Sequence, residues 1–144
     1  YPGIRMTREV LVKYLPNASN EQIARIISKK NLLYKEYLPR TKLNIFLASI
    51  IEQSRGKEMV LATNSQKSRA DMLLDYHGMS EKFSRKVYRD SVDKREKYAR
   101  LMPALLKDYG SIIVFENDEN DIESAIGFGV GVNRIVNVSG WSDE

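Results

Sequence analysis

The chain has 144 residues, 42% of them hydrophobic and 29% charged, enough to bury one ordinary core and typical of a folded globular domain. It contains no cysteine, which excludes disulfides, thiolate metal sites and thiol nucleophiles. The formal net charge is +4. It is unevenly spread: Lys82, Arg85, Lys86, Arg89, Lys94, Arg95, Lys97 and Arg100 crowd one stretch, whereas Glu116 to Glu123 is acidic.

From the N-terminus, Thr7 can cap a short amphipathic helix carrying Val10, Leu11, Tyr14 and Leu15, which Pro16-Asn17 ends. Ser19-Asn20-Glu21-Gln22 has the form of a capping box. The helix it opens places Ile23, Ile26, Ile27, Leu33, Tyr34 and Tyr37 at near-helical spacing before Pro39. A third helix is expected from about Thr41 to Gln53, with Leu43, Phe46, Leu47, Ile50 and Ile51 on its apolar side.

After Gly56 the pattern changes. Met59–Thr63 is apolar without alternation, as in a strand covered on both faces. Gln66–His77 reads as a helix that Gly78 ends, and Phe83–Tyr88 as a weaker strand. Asp93–Tyr109 is helical in composition, but Pro103 cannot donate a backbone hydrogen bond and should kink or restart it. Ile112–Phe115 is the next strand, Asp121–Ile126 a short helix and Arg134–Val138 a last strand. A helical hairpin followed by β-α-β-α-β-α-β predicts an α/β fold: a doubly wound, mainly parallel, Rossmann-like sheet. Residues 1–40 would form a helical part and residues 41–144 the α/β core.

In open α/β sheets ligands bind beyond the carboxyl ends of the strands, so the polar ends of the two apolar runs are the candidate site. One run ends in Thr63-Asn64-Ser65 and the other in Glu116-Asn117-Asp118-Glu119-Asn120-Asp121, with Asp93-Lys94-Arg95 between them. A hydroxyl or amide can orient phosphate oxygens, a lysine can serve as a point charge, and a short acidic cluster suits magnesium, which keeps several waters. Thr63, Asn64 and Lys94 are therefore candidate phosphate-binding residues, with Lys97 or Lys86 able to stand in for Lys94. Glu116, Asn117 and Asp118 are candidate metal ligands, and Asp121 a supporting group or helix cap. Asn64 and Ser65 could also cap the following helix. His77, the single histidine, ends a helix and is expected to favour its C-terminal dipole rather than to act in catalysis.

These segments resemble the haloacid dehalogenase-like hydrolases, particularly phosphatases and phosphomutases with a small helical cap. Val60-Leu61-Ala62-Thr63-Asn64-Ser65 looks like that family's second motif, a strand ending in a phosphate-orienting Thr. Lys94, in Asp93-Lys94-Arg95-Glu96-Lys97-Tyr98, matches its third motif, with Arg95 where Pro is common. Val114-Phe115-Glu116-Asn117-Asp118 through Ala125 looks like the metal-binding fourth motif, with Asn117 where an Asp is usual. The resemblance implies a magnesium-dependent phosphatase-like hydrolase of a small phosphorylated metabolite, working through an aspartyl-phosphate, with Lys94 as a catalytic residue and residues 1–40 as the helical cap.

The family's first motif, Asp-x-Asp, does not occur in the chain; the nearest spacing is Asp90-x-x-Asp93. Its strand would be central, and losing four or five buried apolar side chains at roughly 1.5–3 kcal/mol each would rival the stability of a whole domain. The attacking Asp and its strand are therefore expected upstream of Tyr1. The alternative is a catalytically inactive phosphatase-fold protein that binds a phosphorylated ligand or partner. With no secretory signal and no run near the roughly 20 apolar residues that span a bilayer, a cytoplasmic location and no membrane partner are expected. A nucleic-acid partner is a third, weaker reading of the stretch Lys82–Arg100, and oligomeric state is left open.

Overall fold

The computed structural model describes residues 8–90, 92, 93 and 95–141, so Thr7 and Lys94 lie outside the described residues. The chain divides into two compact units, Tyr1–Thr41 and Lys42–Glu144.

In the first unit, α1 (Arg8–Tyr14) and α2 (Asn20–Tyr37) pack together, and a 3-10 turn over Leu38–Arg40 follows. The capping box forms as its sequence predicts: Gln22 N donates to Ser19 Oγ at 3.1 Å and Ser19 N to Gln22 Oε1 at 2.8 Å. Of the apolar positions expected on α2, only Ile23 is fully buried; Ile26, Leu33 and Tyr37 are exposed.

The second unit begins with α3 (Ile45–Gln53), shorter than the Thr41 start expected. Asn44 sets that start, because its side chain accepts from Leu47 N at 3.1 Å. Then come β1 (Val60–Ala62), α4 (Lys67–Tyr76), β2 (Arg85–Val87), α5 (Lys97–Asp108), β3 (Val114–Glu116), α6 (Glu119–Gly127) and β4 (Ile135–Asn137). Gly78, at φ +65°, carries the chain out of α4 in the left-handed region that glycine adopts without strain. Helix α5 starts four residues later than the composition suggested, because Asp93 and Arg95 form their own turn. It runs through Pro103 as one twelve-residue helix rather than restarting there.

The order of strands and helices agrees with the alternation in the sequence, but the expected doubly wound, Rossmann-like sheet is not what forms. The strands make two separate two-stranded sheets, β1 with β2 and β3 with β4. Both are parallel: Val60 to Ala62 face Arg85 to Val87, and Val114 to Glu116 face Ile135 to Asn137. Among the described residues no ladder joins β1 to β3. Nor is β3 covered on both faces, since Val114 and Glu116 are buried while Ile113 and Phe115 are exposed. An apolar run marks a strand, but which strands pair depends on long-range register that no local pattern carries.

Helix α5 supplies the packing instead. Tyr98, Leu101, Met102 and Leu105 recur at i, i+3, i+4 and i+7 and bury with Val114, Ala125 and Val130. Val60, Ala62 and Val87 from one sheet and Ile135 from the other pack against this cluster. The first turn of α5 is thereby fixed beside the carboxyl end of β3.

Candidate functional site

Glu116 ends β3 and is buried, which demands partners for its carboxylate. Its Oε1 accepts from Lys97 Nζ and from the Tyr98 hydroxyl at 2.6 Å, and its Oε2 accepts from Asn117 N at 3.2 Å. Lys97 is buried as well and lies 3.1 Å from Asp121 Oδ2 in the first turn of α6. Asp121 Oδ1 in turn accepts from Asn64 Nδ2 at 3.5 Å, which ties the loop after β1 to the end of β3. The result is a chain of polar groups, Asn64–Asp121–Lys97–Glu116–Tyr98, drawn from the loop after β1 and from α6, α5 and β3.

Two carboxylates against one ammonium leave a formal surplus of one negative charge in a poorly hydrated place. Burial, and then the hydrogen bond to Glu116, push the Tyr98 phenol well above its usual range, so it remains a donor. The Lys97 ammonium has three N–H groups. Two face Glu116 and Asp121, and the ammonium also lies 5.2 Å from the Tyr98 ring centre.

The sequence candidates divide. Glu116 and Asn64 belong to the cluster. Thr63 stands next to it in the chain, but its hydroxyl accepts from Ser65 N at 3.0 Å and its own N–H bonds to Val87 O at 2.9 Å. Asn117 reaches Glu116 through its backbone, and its side chain is exposed. Asp118 is the N-cap of α6, accepting from Asn120 N at 2.9 Å and Asp121 N at 3.2 Å. The cap role therefore falls to Asp118, and Asp121 faces the lysine. Neither Asn64 nor Ser65 caps α4, whose N-cap is Gln66. His77 is the C-cap of α4, edge-on to Tyr76.

Lys97, Tyr98 and Asp121 were the undervalued residues. A signal existed for Lys97: residues 97, 101 and 105 share a helical stripe, and Leu101 and Leu105 are apolar, so Lys97 sits where a core residue belongs.

Among the described residues no group of three or more His, Asp or Glu converges as a metal site. Magnesium needs fewer, since one or two carboxylates with waters and a substrate phosphate suffice. Glu116 and Asp121 already converge on one cationic atom, so their donor chemistry fits such an ion. Elsewhere in the second unit a groove of about 500 Å³ is lined by Phe46, Ser49, Ile50, Gln53, Gly140 and Trp141, with no charged group to carry chemistry.

No family model, curated protein or solved structure matches this chain. Among the described residues no helix is long and apolar enough to cross a membrane.

Proposed function

We propose that the Lys97 cluster is the phosphate- and magnesium-holding part of a phosphatase-like hydrolase acting on a small phosphorylated metabolite. The observation that carries this reading is the buried Lys97 ammonium, flanked by Glu116 and by Asp121 at 3.1 Å, with the Asn64 amide on the far side of Asp121. Buried charge of this kind is costly, and functional sites are where such cost recurs. The resemblance of the strand ends to haloacid dehalogenase-like motifs supports the same reading, with Lys97 taking the lysine role in place of Lys94.

In this reading Lys97 gives a phosphate oxygen its point charge, and Asn64 orients the group by its amide. Glu116 and Asp121 would hold magnesium, which when bound supplies neutralisation of phosphate charge. Tyr98 keeps the Glu116 carboxylate in place. Attack on phosphorus needs a further carboxylate, because Glu116 and Asp121 are both engaged with Lys97 and the chain contains no Asp-x-Asp pair.

A second reading, phosphate binding without turnover, is favoured by that same engagement of both carboxylates. A phosphomonoester panel with and without magnesium, run on the protein from its complete reading frame, separates the two. Magnesium-dependent release of phosphate supports the hydrolase. Thermal stabilisation by phosphate with magnesium but no turnover selects the binding protein. Neither turnover nor stabilisation removes both.

A further inference from the structure

Every strong acceptor in the Lys97 cluster is already in use. Glu116 Oε1 serves Lys97 and Tyr98, Glu116 Oε2 serves Asn117 N, Asp121 Oδ2 faces Lys97 and Asp121 Oδ1 serves Asn64. The same ammonium that would hold a phosphate is therefore the counter-ion of the carboxylates that would hold a cation.

A phosphate arriving alone must compete with two carboxylates for Lys97 and then sit beside their unpaired charge. A cation arriving alone must displace, or crowd against, the Lys97 ammonium. Each ligand meets an obstacle that the other removes.

Resting on the reading of this site given above, we propose that Lys97 couples the two ligands. A divalent cation taken up by Glu116 and Asp121 releases Lys97 to a phosphate group, and a phosphate on Lys97 releases the carboxylates to the cation. Coupling of this kind is reciprocal by thermodynamic necessity and commonly spans about 5- to 150-fold in affinity. The site would thus take a phosphorylated ligand with its divalent cation and discriminate against either one alone.

Calorimetric titration of the chain with magnesium alone, inorganic phosphate alone, and each at saturating concentrations of the other tests this. The expected result is a phosphate Kd about tenfold or more lower with magnesium present, and the same factor for magnesium with phosphate present. Lys97→Met should bind magnesium more tightly than wild type in the absence of phosphate and lose most of the coupling. Lys97→Arg, which keeps the charge and grips carboxylates with a planar fork, should bind magnesium more weakly than wild type.

Binding of both ligands with unchanged affinities would overturn the coupling while leaving the site reading intact. Binding of neither would overturn the site reading and the coupling with it. Coupling undiminished in Lys97→Met would mean that the cation and phosphate attract each other directly, and would also overturn it. Where Lys97→Met fails to fold, Lys97→Arg decides: a magnesium affinity equal to that of wild type would overturn the role of Lys97.

Discussion

The second unit twice builds a trio of lysine, tyrosine and carboxylate. Beside β2, Lys67 and the Tyr88 hydroxyl both reach Asp71 at 2.5 Å, and the Lys67 ammonium lies 5.0 Å from the Tyr88 ring centre. Beside β3, Lys97 and the Tyr98 hydroxyl both reach Glu116, and the ammonium lies 5.2 Å from the Tyr98 ring centre. Side-chain exposure separates them: 70% for Lys67 and 28% for Asp71, against 6% for Lys97 and 8% for Glu116. The first trio is an i,i+4 helix pair with a tyrosine laid against it, which water largely screens. The second is held away from water and tied to a further carboxylate, Asp121. The lesson is that residue types alone do not set the energetics of such a trio; the depth at which they are held does.

The largest break in this comparison should come from Lys97→Met. Removing one partner of a buried pair leaves Glu116 charged and unbalanced, a loss of about 3–5 kcal/mol by precedent. Urea denaturation at neutral pH measures it. A loss under about 1 kcal/mol would mean that the two trios are energetically alike.

The tyrosines give a smaller and more selective test. Tyr98→Phe removes a buried hydrogen bond to a charged acceptor, worth about 1.5–3 kcal/mol. The alkaline limb sharpens it. Burial and then the Asp71 hydrogen bond push Tyr88 up to about 12, and burial with Glu116 holds Tyr98 higher still. Both phenols keep their protons in the folded chain after unfolded tyrosine has lost them near pH 10. The folded state therefore binds more protons, and stability that is complete below about pH 10 falls as pH rises, for Tyr88 between about 10 and 12. Urea midpoints at pH 8 and pH 11 should fall in wild type and fall less in Tyr88→Phe and in Tyr98→Phe. Equal slopes in all three proteins would refute the assignment.

How much of this was legible beforehand follows from the range of the interactions. The capping box at Ser19 and the alternation of strands with helices are local patterns, and they form where the sequence suggested. The division into two sheets is not local, because neither β1 nor β3 states in its own residues what lies beside it. At the site, the strand ends pointed to Glu116 and Asn64, while Lys94, which the motif resemblance singled out, lies outside the described residues. The helical stripe through 97, 101 and 105 was a separate guide, since it marks Lys97 as a lysine standing where a core residue belongs. Asp118 and Asp121 could not be told apart by spacing alone: both precede or open α6, and only the backbone at the helix start decides which one caps.

The smallest effect belongs to Lys67→Met, and it is the control on which the comparison rests. Lys67 is mostly exposed, so its ion pair with Asp71 should contribute at most about 1 kcal/mol at neutral pH. Asp71 would keep its bond from Tyr88. The hydrogen bond from Lys67, and then that from Tyr88, hold the Asp71 carboxyl below its ordinary range. A depressed folded-state value means stability that is present above the unfolded value near 4 and lost as pH falls through the folded one. In Lys67→Met the Asp71 value should return toward the ordinary range, and the variant should fall behind wild type most clearly above the unfolded value. Toward pH 2 the two proteins should converge. Urea midpoints between pH 6 and pH 2 follow this directly, with phosphate-dependent stabilisation measured alongside and expected to match wild type. A loss as large as that of Lys97→Met, or a lost phosphate response, would show that depth does not separate the two trios.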